Sequence, residues 1–173
     1  NMCLNYLKDF IVKKTLKKNL KNLENNFSVN TIQKIGLLID ATTFTKTEQL
    51  IKELVAIGFA RENIQTIVYD DKDKKSEAES YFSCNANSLR WNASIVEQEI
   101  NSFINVKFDL LISFYDIERA LLLKITHDSK AHFKVGFSSI DNRLNHFIIN
   151  CATDNHAVFV NELLKYLKLL NKI

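Results

Sequence analysis

Two hydrophobic rhythms run along the chain. Leu4, Leu7, Ile11, Leu16, Leu20 and Leu23 recur near helical spacing with lysines between them, which predicts an amphipathic helix ending near Asn25 and Asn26. Ile35 to Asp40 is a short, almost continuously apolar run, the pattern of a strand covered on both faces. Thr45 or Thr47 is suited to cap a helix carrying Leu50, Ile51, Leu54, Val55 and Ile57, with Gly58 just past its end. Ile64 to Tyr69 reads as a second strand, and residues 70–80, polar with mixed charge, as a solvated loop. Tyr81 to Trp91 has no decisive period. A helix over Ile95–Ile104 precedes a third strand, Phe108–Phe114, and a helix over Ile117–Ile125 precedes a fourth, Phe133–Phe137. A short fifth strand, Phe147–Asn150, leads to a final helix that Asp154 can cap and that buries Val158, Leu163, Leu164, Leu167 and Leu170.

Strands alternating with helices imply an α/β fold: a three-layer sandwich around a mainly parallel sheet of about five strands, Rossmann-like or flavodoxin-like, with right-handed crossovers. Residues 1–26 form the N-terminal basic amphipathic helix, and residues 27–173 fit one α/β domain. The link between the fourth and fifth strands has no room for a helix, so an antiparallel or edge arrangement is open there.

Composition narrows the chemistry. With three glycines and no proline, the chain lacks a Gly-rich phosphate loop and a Pro-rich linker. The net charge is +3, but residues 1–26 hold six lysines against Asp9 and Glu24, a local +4 that leaves −1 for the rest. The basic character belongs to the first helix. Cys3, Cys84 and Cys151 are far apart with no CxxC pair, which fits a reducing compartment. The sequons at Asn26 and Asn92 then read as chance matches. Asn1 reads as a residue appended ahead of Met2, no signal-peptide pattern follows, and no apolar run approaches the ~18 residues of a membrane span. These features point to a soluble, cytoplasmic protein.

Ligands of open α/β sheets bind beyond the carboxyl ends of the strands. That rule selects Asp40 and Thr42 after the first strand, Ser113 and Asp116 at the third, and Ser138 after the fourth as ligand-binding candidates. If the first and third strands are neighbours, Asp40 and Asp116 converge on one crevice, where two carboxylates suit Mg²⁺ or acid–base work. The competing reading is local: Asp40 caps the next turn, Asp116 caps the helix at Ile117, and the Ser138–Ser139 pair makes a turn. Cys151 lies near His146 and His156 but without a nucleophile elbow, so it reads as a small core residue, and Gly136 as a point of close packing. His127, His132, His146 and His156 have no metal-ligand spacing. No catalytic residue, metal site or cofactor is assigned.

The segments Phe108–Asp116, Lys134–Phe137, Asn145–Ile149 and Glu162–Ile173 resemble a family of small uncharacterised α/β proteins of Bacteroidota. The resemblance implies the fold and a bacterial cytoplasm and carries no activity. The strand Phe108–Phe114, the helix after it and Lys134–Phe137 are also similar in layout to part of one half of heptosyltransferase-type glycosyltransferases, which implies shared architecture alone.

The leucine stripe of the first helix has to be covered by something. Its own sheet, an anionic membrane, a ribonucleoprotein or protein assembly, and a second copy are the candidates. Lysine without arginine speaks against sequence-specific DNA binding. The sequence favours a non-enzymatic accessory protein that docks on a larger assembly through Lys13, Lys14, Lys17, Lys18 and Lys21. The alternative is a small nucleotide- or phosphometabolite-binding enzyme with its site over the strand ends.

Overall fold

A computed structural model describes residues 2–24, 31–72 and 81–173. Six parallel strands form one sheet: β1 (Ile35–Asp40), β2 (Ile64–Tyr69), β3 (Phe82–Cys84), β4 (Leu110–Phe114), β5 (Phe133–Phe137) and β6 (Phe147–Ile149). Their spatial order is β3-β2-β1-β4-β5-β6. This is the doubly wound Rossmann order, in which the chain switches direction between β1 and β4. The expected α/β fold is present, with the first strand beside the Phe108–Phe114 strand as a shared crevice requires.

The helices are α1 (Met2–Asn19), α2 (Thr47–Ala56), α3 (Gln98–Asn105), α4 (Ala120–Asp128) and α5 (His156–Leu169). Alternation along the strands divides the core. Leu37 and Ile39 of β1 and Ile112 and Phe114 of β4 face α2 and α5, packing with Leu50, Leu54, Phe159 and Leu163. Leu38 and Leu111 face the opposite side, with Ile100 and Phe103 of α3 and Leu122 and Ile125 of α4. α1 lies along α4 and the 3₁₀ turn Ala86–Ser88. Gly36 faces α3, where a Cβ would meet the Phe108 ring at 2.8 Å, so only glycine lets that ring lie on the sheet.

Several expected boundaries move. The undecided segment Tyr81–Trp91 holds β3 and a 3₁₀ turn capped by Asn85, whose side chain accepts from the Asn87 amide. The sixth strand pairs in parallel with β5, Val135 opposite Phe147, because Asn142–Leu144 forms a 3₁₀ crossover short enough for the gap. Gly58 takes φ +118° just past α2, as expected of a helix stop. The capping expectations fail: α2 starts after Lys46 and α5 after Asn155, neither with a side-chain cap, and α4 starts three residues later than expected, at Ala120. Most of the 70–80 loop, residues 73–80, and the expected helix end at Asn25 and Asn26 lie outside the described residues; α1 closes at Asn19.

Candidate functional site

The crevice at the direction switch is filled by an ion pair. Asp40, the last residue of β1, has the parity of Leu38 and so points toward α4; it is fully buried. Its Oδ1 accepts from the Thr42 amide at 3.0 Å and the Thr42 hydroxyl at 2.6 Å, closing a local turn. Its Oδ2 accepts from Arg119 Nε at 2.7 Å, and Arg119 Nη2 donates to Thr42 Oγ1 at 2.7 Å. The guanidinium lies over the Tyr69 ring, 4.8 Å from its centre. Burial works to lower the Arg119 pKa, but hydrogen bonding and charge from Asp40 outweigh it and the net shift is upward. Burial, reinforced by Asp71, holds the Tyr69 phenol above its ordinary range. Asp40 therefore does cap its turn and is at the same time neutralised by an arginine that the strand-end rule did not select.

The remaining strand-end candidates separate. Ser113 has the parity of Leu111 and faces α4, where its hydroxyl meets Thr126 Oγ1 at 3.1 Å; Thr126 in turn meets the buried Tyr115 hydroxyl at 2.7 Å. That places Ser113 beneath the crevice, inside a closed polar cluster. Asp116 stands over β4, with its backbone carbonyl accepting from Ser139 Oγ at 2.9 Å and a buried Oδ1 that has no partner among the described residues. It does not cap α4. Ser138 Oγ donates to Asn150 Oδ1 at 3.1 Å, tying the β5 and β6 exits together as a turn. Of the five candidates, Asp40 and Thr42 form one pair, Ser113 is buried beneath it, and Asp116 and Ser138 are held separately, by Ser139 and Asn150.

A cleft of about 860 Å³ opens on the other side of β1, over the start of α2. Thr45, Lys46, Thr47, Lys52, Asp70 and Tyr81 are among its walls. The first turn of α2 keeps amide donors without a side-chain cap, an arrangement that favours anions. Among the described residues no group of three or more His, Cys, Asp and Glu could hold a metal. His156 is turned to Glu53 Oε2 at 2.7 Å, and burial raises the Cys151 thiol pKa, so these two residues are not arranged as nucleophile and base.

The first helix divides the leucine stripe between the body and the solvent. Its inward side carries Lys8, Asp9, Val12, Lys13 and Leu16. Lys8 is buried and donates to the Ala86 carbonyl at 2.7 Å, with burial lowering its pKa. Asp9 Oδ1 accepts from the Ala120 amide at 2.7 Å and thereby caps α4. Lys13 donates to the Glu118 carbonyl at 2.9 Å, and Lys17 pairs with Glu118 Oε1 at 2.7 Å. Leu4 (53%), Leu7 (48%), Phe10 (54%) and Ile11 (40%) are exposed, as are Met2 (88%) and Tyr6 (78%). The expected stripe divides because Ile11 and Leu16 are five residues apart, about 140° around a helix. Leu20 reaches the core; the leucines before Lys13 do not. Of the five lysines expected to dock, Lys14, Lys18 and Lys21 are exposed, whereas Lys13 and Lys17 are engaged by Glu118, just ahead of α4.

A protein family of unknown function, DUF6913, matches residues 8–170. The chain belongs to this family. The DUF6913 match runs from the Lys8 anchor to the end of α5 and so spans the whole sheet and most of α1. No curated protein and no solved structure matches the chain.

Sequence reasoning missed Arg119, Tyr69 and the anchoring role of Lys8 and Asp9. One signal was available. Arginine stands at only four positions of a lysine-rich chain, and three of them, Arg61, Arg119 and Arg143, bind carboxylates. Arginine's planar fork serves where lysine's point charge does not.

Proposed function

We propose that this DUF6913 protein is a non-enzymatic accessory protein of the bacterial cytoplasm that docks on a larger assembly through the outward face of α1. The observation that carries the reading is the mounting of that helix. It is tied to the body by Lys8, Asp9, Lys13 and Lys17, and it leaves Leu4, Leu7, Phe10 and Ile11 in water. A helix that served only to cover α4 would do the reverse. Fully burying one such side chain contributes about 1.5–3 kcal/mol, so a partner covering several has enough driving force to offset the cost of association. Contiguous exposed apolar residues of this kind mark interaction sites. The switch-point crevice supports the same reading, since Arg119 and Asp40 neutralise each other there.

The test is native fractionation of cells expressing the full chain or the double variant Leu7→Glu/Phe10→Glu. Both positions are about half exposed, so the variant keeps its fold. The wild type is expected in a large-assembly or membrane fraction and the variant among monomers. Monomeric behaviour of both would overturn the reading.

The cleft over α2 favours a second reading, an anionic metabolite or nucleotide held by the first-turn amides, which have no side-chain cap among the described residues, with Lys46 and Lys52. A ligand that binds only the folded chain raises Tm. A nucleotide and inorganic-phosphate series in which Lys46→Glu/Lys52→Glu abolishes the rise would support this site; a series with no rise in the wild type would exclude it.

A further inference from the structure

We infer that the surface on which α1 docks is an anionic lipid bilayer; this inference rests on the docking reading above. The outward face has two halves. Through Ile11 it is apolar, with Leu4, Leu7 and Phe10 exposed; beyond it, Lys14, Lys18 and Lys21 are exposed and make no ion pair among the described residues. The one carboxylate within the helix, Asp9, is turned inward onto the Ala120 amide. The exposed lysines therefore call for negative charge from outside, beside a surface that also accepts apolar side chains.

Few partners supply both. Parallel pairing with a second copy would set Lys14 and Lys18 against the same lysines, and antiparallel pairing would lay them over Leu4 and Leu7 with no carboxylate to meet. A nucleic-acid backbone would satisfy the lysines and leave Leu7 and Phe10 in water. An anionic bilayer takes apolar side chains into the boundary of its acyl region while its headgroups neutralise lysines in the same plane. Tyr6, 78% exposed at the edge of the apolar half, suits the headgroup level, where amphipathic rings settle. Among the described residues no helix is long and apolar enough to cross a membrane, so contact through α1 is peripheral.

The experiment is co-sedimentation of the purified full chain with vesicles of phosphatidylcholine alone and of phosphatidylcholine mixed with phosphatidylglycerol. Binding to the mixed vesicles is expected to be about tenfold or more the stronger, since each lysine near an anionic surface adds roughly 1 kcal/mol, and to weaken with salt. Lys14→Gln/Lys18→Gln/Lys21→Gln should erase the preference, and Leu7→Ser/Phe10→Ser should remove binding to both, with unchanged circular dichroism confirming the fold. No binding by the folded wild type, or equal binding to the two compositions, overturns the inference. If the wild type then still fractionates with a large assembly in a Leu7- and Phe10-dependent way, the docking reading stands and its partner is a macromolecule; nuclease release identifies RNA. If that fractionation is lost too, both readings fall.

Discussion

The Asp9 carboxylate accepts the backbone amide of Ala120 at 2.7 Å, so a residue of α1 caps the N-terminus of α4, 111 positions along the chain. This bond and those of Lys8 and Lys13 explain how a helix can stay on the body with its leucines outward: polar contacts, more than apolar ones, hold its first three turns.

Asp9→Ala should therefore destabilise the fold by about 1 kcal/mol, the usual cost of a lost N-cap. For a chain of this size that lowers Tm by roughly 2–4 °C. Asp9→Asn should retain most of the stability, because an amide oxygen can still accept from Ala120. Thermal unfolding of the two variants checks the ordering.

The Asp40–Arg119 pair sets a larger expectation. Asp40 is fully buried, and Arg119→Met would leave its charge with only the Thr42 donors. Loss of one partner of a buried pair costs about 3–5 kcal/mol, and the partial exposure of Arg119 puts this case at the lower end. Replacing both, Asp40→Asn/Arg119→Met, should recover part of the loss. A double-mutant cycle by urea unfolding measures it, and additive single effects would contradict the coupling.

Acid should weaken the fold in two stages. Burial, with Lys134 beside it, lowers the His146 pKa from 6.5 to about 4, and its Nδ1 accepts the Lys134 amide at 2.9 Å. Between those values the unfolded chain binds the proton that the native state refuses, so stability falls as pH drops from about 6.5 to about 4. The hydrogen bond from Arg143 holds the Asp141 carboxyl down at about 2, from 3.8; its contribution is present above 3.8 and is lost as pH falls toward 2. His146→Gln should flatten the first stage and leave the second. Unfolding free energies measured across this range check both.

Strand composition made the sheet legible. Runs such as Ile35–Asp40 and Leu110–Phe114 are apolar at both parities, which only a strand covered on both faces requires. β3 was hidden because three residues, Phe82–Cys84, are too few to establish a period, and its pairing with β2 is a tertiary matter. At the strand ends the sequence located Asp40 and Thr42 and could not supply Arg119, which reaches Asp40 across 79 positions. The orientation of α1 was left open for a related reason. Leucine counts suggest one stripe, but the partner of the inward face is a set of backbone groups, the Ala86 and Glu118 carbonyls and the Ala120 amide, that leave no trace in the pattern.

The orientation of α1 is the central claim, and thiol labelling reads it most directly. In a Cys3→Ser/Cys84→Ala/Cys151→Ala background, single cysteines replace Phe10, Ile11 or Val12 in the folded chain. Phe10 and Ile11 are exposed and Val12 is 2% exposed. Phe10→Cys and Ile11→Cys are predicted to react at nearly the rate of a free thiol, and Val12→Cys only when the protein unfolds. Rapid reaction at Val12→Cys with protection at Phe10→Cys and Ile11→Cys would put the leucine stripe back in the core and contradict the account.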